Sequence, residues 1–335
     1  MKVHKVGESR GVSWMNILVT GGLGAIGSWI VREVIAQGHT PIVFDSGPNR
    51  SLISDMSVEV VAWSVTSLTE VIDALRTHRI DRVIHAAALM PPECASFPAR
   101  AVAVNVDGAL TVFEAARLSD VDRVVTFSSK AVYGEIPAPY GFPDYEPLPE
   151  SFRLAPNSVY SATKVMVEQL AAQVRRNSDL TILCLRLGTT YGPGKSRHGI
   201  LSIHSQIIDA ALAGAPLEIT QGSDESTDLI FNGDVGRAAV LAATAKTPRH
   251  EVYNIGTGIG TRLGDFVAWV EAALPQAKIQ VGAGLNYMLQ EQPSYCVLDV
   301  GRAREDFGFG SCRVGPDGIA AYIDGVHRLG LQGGN

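Results

Sequence analysis

Thr20-Gly21-Gly22-Leu23-Gly24-Ala25-Ile26-Gly27 follows the apolar run Ile17-Leu18-Val19 and precedes an amphipathic stretch from Ser28 to Gln37. A buried strand, a glycine turn and a helix, in that order, open a parallel α/β sheet. Gly21 permits the tight turn, Gly24 lets backbone approach a pyrophosphate, and Gly27 lets the helix pack closely on the strand. The helix start then offers free N–H groups and a positive dipole end to phosphates. Ala25 and Ile26 lie in the same turn and join the candidate cofactor contacts. The next strand, Ile42–Asp45, ends in a carboxylate. There Asp45 accepts hydrogen bonds from both adenosine ribose hydroxyls and repels a 2′-phosphate, which predicts NAD rather than NADP. A turn or helix-capping aspartate is the plainer alternative, and Arg50 nearby softens the preference.

Outward from this turn, the first half alternates short apolar strands with amphipathic helices. Strands are expected at Val58–Trp63, Arg82–His85, Arg123–Ser128 and Leu180–Leu187, and helices at Val71–Arg76, Val104–Arg117 and Tyr160–Arg175. Right-handed crossovers turn this order into an α/β doubly wound parallel sheet, the Rossmann fold, covered on both faces. Beyond Tyr191-Gly192-Pro193-Gly194 the pattern becomes irregular, with helices near Ile203–Ala213 and Val235–Ala245. The expected organisation is a nucleotide-binding domain over 15–187 with a crossing-back segment near 228–246. A smaller, discontinuous substrate lobe takes 188–227 and 247–335, and residues 1–14 form a loose extension. Glu135–Asn157 is Pro- and aromatic-rich without a clear period and is expected to loop over the site.

Composition narrows the function classes. The 335 residues are 46% hydrophobic and 19% charged with a net charge of −6, which suits a soluble globular protein rather than a disordered chain. No basic stripe points to nucleic acid. No apolar run reaches the roughly 18 residues of a membrane span, and Met1–Trp14 lacks a signal-type apolar region after its basic residues. Cys94, Cys184, Cys296 and Cys312 match neither a zinc pattern nor a disulfide framework, so no metal is expected and a reducing cytoplasm is the expected compartment.

Three further segments carry chemistry. Phe127-Ser128-Ser129-Lys130-Ala131-Val132-Tyr133-Gly134 ends one strand, Tyr160-Ser161-Ala162-Thr163-Lys164 starts a helix, and His85-Ala86-Ala87-Ala88 ends another strand ahead of Asn105-Val106-Asp107-Gly108. Tyr160 and Lys164, four apart, share one helix face. An ammonium beside a phenol favours phenolate, and the phenol then takes or gives a proton while hydride moves to or from a nicotinamide. Ser129 would hydrogen-bond the reacting oxygen. His85 reads as a satisfied core histidine ahead of a catalytic one. Asp234 reads equally as a helix N-cap and as a site residue near the lobe crossover.

With these segments in hand, the chain from about Met15 to Tyr322 resembles the extended short-chain dehydrogenase/reductases, the NAD-dependent sugar epimerase and dehydratase group. The resemblance includes Tyr253-Asn254-Ile255-Gly256 and the tail from Leu298-Asp299 to Phe307-Gly308. It implies NAD as cofactor and Ser129, Tyr160 and Lys164 as the catalytic set, with Ser129 rather than Ser128 at the family's serine position. It also implies a ribose-holding role for Lys164, and adds Val65, Ala86, Ala87, Ala88 and Asn105 to the cofactor side. Asn105 reads alternatively as a core residue orienting the catalytic helix. The resemblance further implies a homodimer through the helices around Val104–Arg117 and Tyr160–Arg175.

Departures from the family limit the substrate. The acid pair that dehydratases carry after the serine position is Lys130 and Ala131 here, which argues against elimination of water. Thr189 stands at an asparagine position and Thr227 at an arginine position of the nucleotide-sugar enzymes. Lys130, Lys195, Arg197 and His198 remain on the expected substrate side and suit a smaller anion such as a sugar acid, although solvated surface is the plainer role for each of them. The leading expectation is a dehydrogenase acting on a small sugar, polyol or sugar acid. An epimerase with retained NAD comes second, and a non-catalytic NAD-sensing regulator third.

Overall fold

The computed structural model describes residues 14–195, 202–310 and 312–331. The expectations for the 1–13 extension, Arg197 and His198 lie outside the described residues.

Seven strands form one parallel sheet. In chain order they are β1 (Asn16–Thr20), β2 (Thr40–Phe44), β3 (Glu59–Val61), β4 (Arg82–His85), β5 (Arg123–Ser129), β6 (Thr181–Leu187) and, after three strands placed elsewhere, β10 (Val252–Ile255). Across the sheet they run β3-β2-β1-β4-β5-β6-β10. The order reverses between β1 and β4, and a crevice opens there at the strands' carboxyl ends. Side chains on successive strand positions go to opposite faces. Ile17 and Val19 accordingly join one core and Leu18 the other, and Leu183 and Leu185 part from Ile182 and Cys184 in the same way. Both faces are thus buried, which is why the strands read as continuous apolar runs.

Helices cover the two faces. Early in the chain come α1 (Gly27–Ala36), α2 (Leu68–Thr77), the short α3 (Pro91–Ser96) and α4 (Pro98–Ala101), α5 (Gly108–Leu118) and α6 (Val159–Arg176). The start expected for the Val104–Arg117 helix is a π-helical turn, Val102–Asp107, that carries Asn105. Wide turns of this kind recur at functional positions, and polarity patterns do not reveal them.

At Gly188 the chain leaves β6 for β7 (Thr189–Tyr191), which pairs with β9 (Ser226–Phe231), itself paired with β11 (Gly260–Arg262). Helices α7 (Ile203–Ala213) and α9 (Leu263–Ala273), the pair β8 (Pro216–Ile219) and β12 (Lys278–Val281), and the final helix α11 (Pro316–Leu329) complete this lobe around a third core. Helix α8 (Asn232–Thr244) crosses back onto the main sheet, where Gly236 lies so close to α1 that a Cβ would stand 2.7 Å from the Trp29 carbonyl oxygen. The stretch expected to be lobe throughout, 247–335, instead begins by returning to the main sheet: β10 is its edge strand, and α10 (Gly301–Phe307) packs on it. Four residues between turn signals carry no mark of the sheet they join; only the register of Val252 with Cys184 does.

Candidate active site

The glycine turn is built as a cradle. Gly21 has φ +68°, and a Cβ there would lie 2.7 Å from the Ala87 nitrogen. A Cβ on Gly27 would lie 2.0 Å from the Gly21 carbonyl oxygen. No side chain caps the start of α1, and its Ser28 and Trp29 amides donate to the Gly24 and Ile26 carbonyls, so an anion would meet the helix's positive end through the amides of the turn before it. Asp45, just past β2, accepts from the Leu23 amide at 3.0 Å and the Gly47 amide at 2.8 Å, which sets its carboxylate beside the turn. These residues fit NAD: amides for its pyrophosphate and a carboxylate for its adenosine ribose.

A cavity of about 970 Å³ opens at the carboxyl end of the sheet. Ile26, Ala86, Ala88, Ser129, Tyr160 and Lys164 all line it, so strands β4 and β5, the glycine turn and α6 converge on one space. Ala87 packs behind Gly21. Val65 and Asn105, like Gly21, Gly24, Ala25, Gly27 and Asp45, lie outside the lining of this cavity: Val65 packs against Gly108, and Asn105 is a strut. The Asn105 Oδ1 accepts from the Leu89 amide at 2.7 Å, and its Nδ2 donates to Thr163 Oγ1 at 3.2 Å, joining the segment after β4 to α6.

Helix α6 begins sharply. Ser158 and Ser161 cap it reciprocally, the Ser158 hydroxyl accepting from the Ser161 amide at 3.1 Å. Tyr160 is therefore in the first turn, and Lys164 follows on the same face. The Lys164 ammonium donates to the Phe127 carbonyl at 2.9 Å and lies 5.5 Å from the centre of the Tyr160 ring. Burial pushes the Lys164 ammonium down to about 8. Burial pushes the Tyr160 phenol up to about 12, and a hydrogen bond with Ser129 opposes that rise. Lys164 is expected to favour phenolate; its ammonium sits at the ring face, held by the Phe127 carbonyl, and Ser129 is a second group that favours phenolate.

His85 is buried with Nδ1 2.7 Å from Thr20 Oγ1, and burial followed by the Lys164 charge holds it down to about 3. It is neutral and built into the core. Asp234 sits in the first turn of α8 but does not cap it. Its carboxylate instead accepts from the Arg313 amide at 2.8 Å and the Arg313 guanidinium at 3.0 Å.

The three family departures turn out to be neighbours. Lys130 Nζ donates to Thr227 Oγ1 at 2.9 Å, and Thr227 Oγ1 is 3.1 Å from Thr189 Oγ1. Glu135–Asn157 forms one wall of the cavity through Glu135, Arg153 and Asn157. The adjoining wall, Met288 to Ser294, where Gln292 Oε1 accepts from Asn157 Nδ2 at 3.0 Å, goes unmarked in the sequence, because that segment has neither a motif nor a period.

The model of the NAD dependent epimerase/dehydratase family matches residues 17–256. A UDP-glucose 4-epimerase from Mycolicibacterium smegmatis is 30% identical over 260 residues, 74% of this chain and 79% of that protein. The crystal structure of the Thermus thermophilus UDP-glucose 4-epimerase with NAD superposes with a TM-score of 0.79 at 28% identity, covering 95% of this chain and 100% of that one. The Thermotoga maritima UDP-glucose 4-epimerase, solved with UDP-glucose, superposes with a TM-score of 0.82 at 25% identity, over 94% and 99%. Sequence, sheet order and cofactor cradle agree: the chain belongs to the NAD-dependent epimerase/dehydratase family of extended short-chain dehydrogenase/reductases and is an NAD-dependent enzyme.

Proposed function

We propose that this enzyme oxidises a hydroxyl, or reduces the matching carbonyl, on a small sugar, polyol or sugar acid. Tyr160 moves the proton, Ser129 hydrogen-bonds the reacting oxygen, and Lys164 holds the cofactor side. NAD, when bound, accepts or returns the hydride. The observation that supports a small substrate is the Lys130–Thr227–Thr189 chain. It stands where nucleotide-sugar members of the family place an arginine and an asparagine. Without that arginine a diphosphate loses a charge-assisted contact of about 1.5–3 kcal/mol.

The second reading is an epimerase that keeps its NAD, oxidising and re-reducing one carbon. The names of the relatives above favour it. A panel of polyols, sugars and sugar acids, run beside UDP-glucose with NADH absorbance recorded, separates the two. Net NADH from a panel member, and none from the nucleotide sugar, is the expected result. Saturable conversion of UDP-glucose at low micromolar concentration, with no net NADH, would overturn the dehydrogenase reading. The same panel run with NADP should be slower, because of Asp45; a preference for NADP would shift the assignment to Arg50.

The apolar side chains of Val102, Leu118 and Met166, exposed on the π turn, α5 and α6, favour pairing of two copies through these helices. All four cysteines are free, in keeping with a reducing compartment. No described helix is long and apolar enough to cross a membrane.

A further inference from the structure

The cavity's inner wall carries three lysines, Lys130, Lys164 and Lys195, all buried. Its two lining carboxylates, Glu135 and Glu291, are exposed at the rim, as is Arg153. Among the described residues none of the three lysines forms a salt bridge. Lys164 serves Tyr160 and the cofactor, which leaves two buried cations that the proton transfer does not use.

Both end on neutral oxygens. Lys130, the residue after Ser129, donates to Thr227 Oγ1 at 2.9 Å. Lys195 donates to the Thr190 carbonyl at 2.6 Å and to the Thr190 hydroxyl. Neutral acceptors satisfy a donor without balancing its charge, and unbalanced buried charge is costly. Burial lowers both ammoniums accordingly, Lys195 to about 7. Asp228 and Glu225 act on Lys130 from a distance, but their oxygens are engaged elsewhere. Asp228 accepts from Thr257, Gly258 and Leu298, and Glu225 from Tyr145 and Asn286. The two cations are close enough that both depress the buried His204 imidazole, after its burial, and the His204 Nε2 has no hydrogen-bond partner among the described residues.

We infer that Lys130 and Lys195 together bind a carboxylate of the substrate, so that the enzyme acts on sugar acids whose reacting hydroxyl faces Ser129 and Tyr160. This inference rests on the oxidoreductase reading above. Lys130 directly follows Ser129 in the chain and lines the same cavity, which suits a short polyhydroxy acid rather than a nucleotide.

The test uses matched substrates with the intact enzyme and NAD: hexuronates and aldonates against the corresponding aldoses and alditols, with hexose 6-phosphates as a third arm. The expected result is a kcat/KM at least about tenfold higher for an acid than for its neutral counterpart. Lys130→Met and Lys195→Met should each bring that ratio down toward one, mainly through a raised KM for the acid. Lys130→Arg should retain most of it. With no substrate present, Lys130→Met should melt no lower than the parent, since it removes an unbalanced buried charge. Equal turnover of acid and neutral partner, or preference for the phosphate, overturns the carboxylate site while leaving the oxidoreductase reading standing. Equal losses on acid and neutral substrates in both methionine variants, with a lowered melting temperature, would make the lysines structural and also overturn it. Conversion of nucleotide sugars alone would remove both readings together.

Discussion

Tyr160→Phe is expected to lower turnover by about 10²–10⁴-fold, the usual contribution of a positioned acid–base group. The substitution keeps the ring that packs beneath Lys164 and removes the hydroxyl hydrogen-bonded to Ser129. Affinity for NAD should stay close to that of the parent, because NAD is expected to rest on the glycine turn and Asp45 rather than on the phenol. Lys164→Ala should harm both turnover and NAD binding. Stopped-flow NADH absorbance and calorimetric titration of NAD separate these outcomes. Near-normal turnover of Tyr160→Phe on the true substrate would refute the assignment. Among the described residues lining the cavity, Tyr160 is the one tyrosine and no histidine is present. The other tyrosines near the motifs lie elsewhere: Tyr133 donates to Asn254 Oδ1 at 2.6 Å, and Tyr191 is buried in the lobe core.

The second large effect concerns stability. Glu168 continues the four-residue spacing of Tyr160 and Lys164 along α6 and meets Arg186 of β6 in a bidentate pair, Nε to Oε1 at 2.9 Å and Nη2 to Oε2 at 2.7 Å. Both side chains are buried, 5% and 4% exposed for Arg186 and Glu168, so water cannot replace either partner. Burial opposes the Arg186 charge, yet Glu168 and Tyr133 hold it more firmly protonated than usual. Glu168→Leu strands this cation and is expected to cost about 3–5 kcal/mol. Urea unfolding checks it: the midpoint should drop sharply at an unchanged slope. Glu168→Leu combined with Arg186→Met should recover much of the loss, because no lone charge remains buried. A single-variant loss below about 1 kcal/mol would mean that the cation finds water or another partner.

What sequence could and could not reveal follows from how local each feature is. The Gly21–Gly27 turn, Tyr160 and Lys164 are legible because spacing along one element fixes their geometry. The main sheet is legible because both of its faces are buried, which leaves continuous apolar runs. Pairings across long sequence distance leave no such trace. Lys130 and Thr227 stand 97 residues apart, and only the fold makes them neighbours. The Tyr253-Asn254-Ile255-Gly256 stretch stands out in the sequence only as a family mark, and the structure supplies its physics. Asn254 Nδ2 donates to the Leu148 carbonyl at 2.9 Å, and a Cβ on Gly256 would lie 2.3 Å from an Asp228 oxygen. For the phenol, charge proximity is visible in the sequence, while burial, which raises it, is not.

The wall from Met288 to Ser294 faces chemistry that it does not perform. Asn286 and Gln290 brace it from within, the Gln290 amide donating to Asn286 Oδ1 at 2.9 Å and the Gln290 side chain accepting from the Ser294 amide at 3.0 Å. It follows β12 in the chain, a separate segment from β5, which carries Ser129, and from α6, which carries Tyr160 and Lys164, and it meets the approach to α6 where Gln292 accepts from Asn157 at 3.0 Å. Inheritance can therefore act on the two parts separately. A lineage can rewrite these seven residues and try new substrates while the redox machinery passes on unaltered, and a laboratory can do the same by grafting this one segment between related enzymes.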